Sequence, residues 1–362
     1  MLPRPRQVVA LIAAVFAAVL LVPSAPAAAA TADRFGFAYV DNPAVPTWTA
    51  LPAPYQYGTW SSALTATGGK VATGRFLVRF PNVATGPKGN VHVTAVAKDG
   101  RFCETVRWYA SGADQIVDVQ CFKAGGTPAD TPFTVLWTVS SGAISPVPGT
   151  YASVQVMSNT LIQSYNSTAG AVSITPIGVG IYSVFFGGVG ETSGLLSGNV
   201  QVTAAQPNAG PRRCKIMREF TSGPDVIVYV ACHDPVSGAP ISSDFTASFH
   251  RQRSVYGSFA PPKYFGYLSI PYTGPTNFNY PLGVGANGAS SLGTGVYVVK
   301  FPSLHEKATT TQVTAIGDGP GYCTIHSLWQ QLASDAAVPV ACFSNAGVPQ
   351  ANPFSITFSS SA

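Results

Sequence analysis

Six cysteines, five histidines, fifteen carboxylates and five tryptophans are the residues of this 362-residue chain that could do chemistry. The cysteines fall into three pairs, Cys103/Cys121, Cys214/Cys232 and Cys323/Cys342, with separations of 18, 18 and 19 residues. The first two pairs are centred on Gly112 in Ala110-Ser111-Gly112-Ala113-Asp114 and on Gly223 in Thr221-Ser222-Gly223-Pro224-Asp225, both turn sequences. Cysteines placed symmetrically about a turn sit opposite each other on a hairpin, within reach of disulfide geometry. A zinc site needs Cys-x-x-Cys or close Cys/His spacing, and none occurs. The expectation is three hairpin disulfides and no metal or cofactor.

The histidines offer no constellation. His92 alternates outward on a strand and reads as a solvated imidazole; Gln201 and Gln312 hold the matching places. His233 follows Cys232, His250 lies in the basic stretch Phe249–Arg253, His305 stands beside Glu306 and Lys307, and His326 follows Cys323 by three residues. None has a partner at metal-ligand spacing. Asp130, Asp244 and Asn352 precede the closing phenylalanine of three similar segments, where an Asx side chain caps a turn. Ionisable residues also change at matched positions: Arg79, Phe185, Lys300, and again Glu104, Lys215, Thr324. There is no Gly-x-Ser-x-Gly elbow and no recurring acid pair. The chain therefore reads as no enzyme. Among aromatic residues, Trp108, Phe220 and Trp329 match one another, as do Trp137, Phe249 and Phe358, and they read as core. Trp48 and Trp60 stand apart in the Pro/Gly-rich stretch Asp41–Gly69, which reads as a long loop or irregular edge. They are the candidate ligand surface.

These residues sit on a repeat. Gly74–Phe80, Gly180–Phe186 and Gly295–Phe301 all read Gly-x-aromatic-x-Val-x-Phe. Val93-Thr94-Ala95, Val202-Thr203-Ala204 and Val313-Thr314-Ala315 follow, then the cysteine pairs, then Phe133, Phe245 and Phe354, which are 112 and 109 residues apart. That period suits a domain rather than a solenoid repeat. The division is a signal segment at 1–30 and units at 31–145, 146–256 and 257–362. The Pro-bearing joints at 142–149 and 251–262 read as semi-stiff spacers between units that fold by themselves. Period-2 alternation of Val, Phe and Thr, with early strands near Phe35–Val40, Tyr151–Val156 and Tyr264–Ile270, argues six or seven strands per unit. The fold class is all-β: three tandem small antiparallel β-sandwiches or small closed barrels, each with one disulfide.

Composition narrows the rest. Charged residues are 10% of the chain and the formal net charge is +5, too little clustered charge for a nucleic-acid binder. Arg4 and Arg6, the apolar run Val8–Val22 and the small residues Ala27–Ala32 form a secretory signal, cut short by Pro23 and Pro26. No later segment reads as transmembrane. The combination of signal, Gly-x-Tyr-x-Val-x-Phe, Val-Thr-Ala and paired cysteines resembles secreted tandem-repeat β proteins of actinobacteria. That resemblance implies an extracellular location and a fold, and no activity. The expected function is that of a secreted structural or binding protein for an extracellular glycan or protein ligand. An enzyme or enzyme inhibitor with its site on the variable loops of one unit is the alternative.

Overall fold

A computed structural model describes residues 33–46, 48–140, 149–206, 210–257, 264–270, 276–304 and 308–361. The signal segment, the joint at 141–148 and His305 lie outside the described residues. The remainder is three two-sheet antiparallel sandwiches in tandem, with a disulfide in each: Cys103–Cys121, Cys214–Cys232 and Cys323–Cys342. The sheets stay open and separate, so the sandwich expectation holds and the closed barrel does not.

Unit 2 gives the plan. One sheet runs in the order Thr160–Asn166, Thr150–Met157, Phe245–Arg251, Asn199–Ala204. The other runs Val172–Gly178, Ile181–Phe186, Asp225–His233, Arg213–Ser222. These eight strands exceed the expected six or seven because polar strands such as Thr160–Asn166 carry little apolar alternation. Its core is built from residues that face inward at period 2, among them Val154, Val184, Val228 and Phe249. Unit 1 departs from the plan in Asp41–Gly69. The expected loop is partly ordered there, as the strands Thr49–Ala50 and Gln56–Gly58 around a 3-10 turn at Ala53–Tyr55.

The recurring glycine has a single cause. Gly74, Gly180 and Gly295 adopt φ of 71°, 66° and 70° at the start of their strands, a region that L side chains avoid. Each carbonyl accepts the amide of the second cysteine of its unit, Cys121, Cys232 or Cys342. A Cβ there would strike that cysteine's carbonyl at 2.5–2.8 Å. The glycine motif and the cysteine pair are thus one packed feature, with the two cysteines of each pair directly opposed across the hairpin.

The units are not beads on spacers. Asn90–Ala95, Asn199–Ala204 and Thr309–Ala315 are edge strands of their sheets, yet every residue in them is buried. Their valines face the sandwich core, and the alternate residues face a neighbouring unit. The expectation of a solvated His92 is corrected here: it is 1% exposed, as are Gln201 and Gln312. His233 and His250 are buried as well. The segment read as the second spacer also packs. Val255 and Tyr256 pack with Phe35, Phe37 and Leu136 of unit 1, and the Tyr256 ring stacks on Phe35 at 4.1 Å.

Candidate functional site

The polar residues of the edge strands meet where the three units join. The Thr203 hydroxyl of unit 2 accepts the Val93 amide of unit 1 at 3.2 Å. Thr314 of unit 3 accepts the Val202 amide of unit 2 at 3.0 Å. Thr94 of unit 1 accepts the Val313 amide of unit 3 at 3.1 Å. Each hydroxyl then turns back to the strand that it serves. Thr94 donates to Gln312 Oε1 at 2.7 Å and Thr314 to Gln201 Oε1 at 2.9 Å. Thr203 meets His92 Nδ1 at 3.3 Å. By analogy Nδ1 is the acceptor, which leaves Nε2–H to donate to Ser248 Oγ at 2.7 Å. The cycle repeats one layer out: Gln206 N to Thr105 O, Gly317 N to Ile216 O and Ala97 N to Ile325 O, at 3.0, 2.9 and 2.8 Å. Three units linked this way surround a common axis, and free edges that would invite aggregation are closed by their neighbours.

One end of this axis is a pocket lined by the three Val-Thr-Ala triplets and by Cys103, Cys214 and Cys323. Arg213, Lys215 and His233 line it too, all from unit 2. Burial lowers Lys215 to about 8 and Arg213 to about 10. Burial also lowers His92 and His250 to about 3, so both are neutral at pH 7. Neither ring nitrogen of His250 has a hydrogen-bond partner among the described residues; its ring meets Tyr267 edge-on at 5.4 Å. Burial raises Glu219 to about 7 and pushes Glu104 well above the usual range.

The two candidate tryptophans part company. Trp60 is half-buried, stacks on Phe80 at 5.7 Å and packs against the unit 1 core. Trp48 is 45% exposed, with the Arg79 guanidinium 5.1 Å from its ring centre. It lines a surface groove with Pro46, Gly69, Lys70, Val71 and Leu77. Trp137, Phe249 and Phe358 fill cores, whereas Phe220 is exposed on its hairpin. Trp108 and Trp329 are buried, and Trp329 also meets Tyr39 and Tyr55 of unit 1 edge-on. Asp130 and Asp244 do not cap their own turns as expected: Asp130 accepts the Gly74 amide and pairs with Lys70, and Asp244 accepts the Ser158 amide, so each ties the closing strand to a distant hairpin turn. His326 is half-buried, its amide bonded to Pro339 O.

Among the described residues no three of His, Cys, Asp and Glu are grouped to hold a metal ion, and no helix is long and apolar enough to cross a membrane. No family model, curated protein or solved structure matches the chain. The threonine ring escaped the sequence reading because outward was equated with solvent. Its signal was present: Thr94, Thr203 and Thr314 recur at one register, where a lone sandwich needs no particular polar residue.

Proposed function

We propose that the protein is a secreted, non-catalytic binding protein that presents a glycan-binding groove at Trp48 on a rigid three-unit body. One observation carries the reading. The one well-exposed tryptophan lies in a groove, in the segment that unit 1 does not share with the other two. An indole face suits the apolar face of a sugar ring, while Lys70 and Arg79 supply donors at its rim. His92, His250, Glu104 and Glu219 are buried and none of them lines the groove at Trp48, which supports the non-catalytic part. The disulfides suit an oxidising, extracellular compartment.

The test applies the mature protein to glycan and cell-wall arrays. Trp48→Ala is expected to weaken binding at least tenfold and leave the thermal midpoint unchanged. Binding that survives this substitution would remove the groove from the proposal. Reproducible turnover of a glycosidase, esterase or protease substrate would overturn the non-catalytic reading.

A further inference from the structure

The pocket on the axis is lined by three buried cations, Arg212, Arg213 and Lys215, and by no carboxylate; Arg212 lies 3.9 Å from Asp234 outside the lining, and the other two are the cations to account for. Arg213 is 7% exposed and Lys215 5%. The repeat places Phe102 and Tyr322 where unit 2 has Arg213, and Glu104 and Thr324 where it has Lys215. Neither cation forms an ion pair with a carboxylate among the described residues. Arg213 lies over the rings of Phe102 and Tyr322, at 5.0 and 4.1 Å, and its Nη2 donates to Asn345. Its Nε and Nη1 have no hydrogen-bond partner among the described residues. Lys215 Nζ donates to the carbonyls of Gly319 and Gly321 at 2.9 Å each, which leaves its third hydrogen unused. His233 Nδ1 meets Gly238 O, and its Nε2 has no hydrogen-bond partner among the described residues.

The carboxylates of the neighbourhood are engaged elsewhere. Glu104 accepts the Arg212 amide at 2.7 Å. Asp234 caps its own turn through the Val236 and Ser237 amides. Asp318 is 68% exposed and pairs with Arg218. Uncompensated buried charge is costly, and a counter-charge drawn from solvent relieves it. The cavity measures about 60 Å³, several times the minimum for one water, so it admits a small polyatomic ion.

We propose that this pocket binds one small inorganic oxyanion, of the phosphate and sulfate class, held by Arg213 and Lys215. Guanidinium and ammonium donors favour oxyanions through charge-assisted hydrogen bonds.

The mature protein is titrated with phosphate and with sulfate by calorimetry, at an ionic strength held constant with chloride. Saturable one-site binding is expected, together with a thermal midpoint that rises and then levels off. Lys215→Met should weaken binding at least tenfold, while Arg218→Gln, on the exposed pair with Asp318, should leave it unchanged. If Lys215→Met does not fold, the wild-type affinity is followed with pH and should fall as pH rises through about 8, where Lys215 loses its proton. No saturable binding, a midpoint that climbs without levelling, wild-type affinity in Lys215→Met, or a pH-independent affinity would each overturn the proposal.

Discussion

His92 stands in a ring whose other two members are Gln201 and Gln312, and all three take up the hydroxyl of a neighbouring threonine. Only the histidine can titrate. A base whose pKa falls on folding stabilises the fold above its ordinary value of 6.5 and loses that contribution as pH drops toward its folded value near 3. Glu104 and Glu219 act in the opposite sense. Folding raises both pKa values, that of Glu219 to about 7, so the fold gains as pH falls toward their ordinary 4.5. The two effects oppose each other from about pH 6.5 to 4.5, and below that the histidines still differ, together with Asp130, Asp234 and Asp335, whose pKa values folding lowers. Urea midpoints are expected to change little from pH 7 to 5 and to fall steeply below about 4.5. His92→Gln installs what the other two units carry. It should fold at pH 7 and flatten the acid limb by up to about 1.4 kcal/mol per pH unit. An acid limb equally steep in both proteins would remove His92 from the response.

At the scale of elements, each sandwich is secured where its glycine carbonyl, its disulfide and its hairpin coincide. The double substitution Cys214→Ala and Cys232→Ala opens an 18-residue loop and should cost about 3 kcal/mol by the loop-entropy model, read as a lower urea midpoint in unit 2. An unchanged midpoint would mean that the strand pairing from Arg213 to His233 already constrains the unfolded chain. These elements were legible in the sequence because local patterns produce them: alternating valines, turn glycines and cysteines spaced about a hairpin. The edge strands were legible as strands too. What covers them was not, since a residue such as Thr203 presents the same period-2 pattern to water and to another unit. Trp48 and Trp60 were indistinguishable for a related reason. Their burial depends on Phe80 and Arg79, which lie far along the chain.

For the whole molecule, the three joints are similar in plan and different in chemistry. At one register Glu104 accepts the Arg212 amide, Lys215 donates to Gly319 and Gly321, and Thr324 donates to the Ala97 carbonyl. The apparent scatter of charge between units is therefore a match of each unit to its own neighbour, which specifies the order around the axis. The same joints bear on independent folding. Residues 149–257 alone retain a core and a disulfide but leave Thr203, Gln201 and the Val202 amide without the partners they have in the full chain. That fragment is expected to unfold at a clearly lower urea concentration than unit 2 within the full chain, followed by the fluorescence of a reporter placed in unit 2. Identical midpoints would show that the joints add nothing to unit stability.

The strand that each unit contributes to the axis is an edge strand hydrogen-bonded, within its own sheet, to the unit's last strand alone: Asn90–Ala95 to Phe133–Val139, Asn199–Ala204 to Phe245–Arg251, Thr309–Ala315 to Phe354–Ser360. Assembly consequently has a clock. During synthesis the first two units can join as soon as Phe245–Arg251 has emerged. The link back from Val313 to Thr94, which spans 219 residues, waits for Phe354–Ser360. Until then the three units form an open arc with two unsealed ends, and Phe354–Ser360 is the strand that lets it shut.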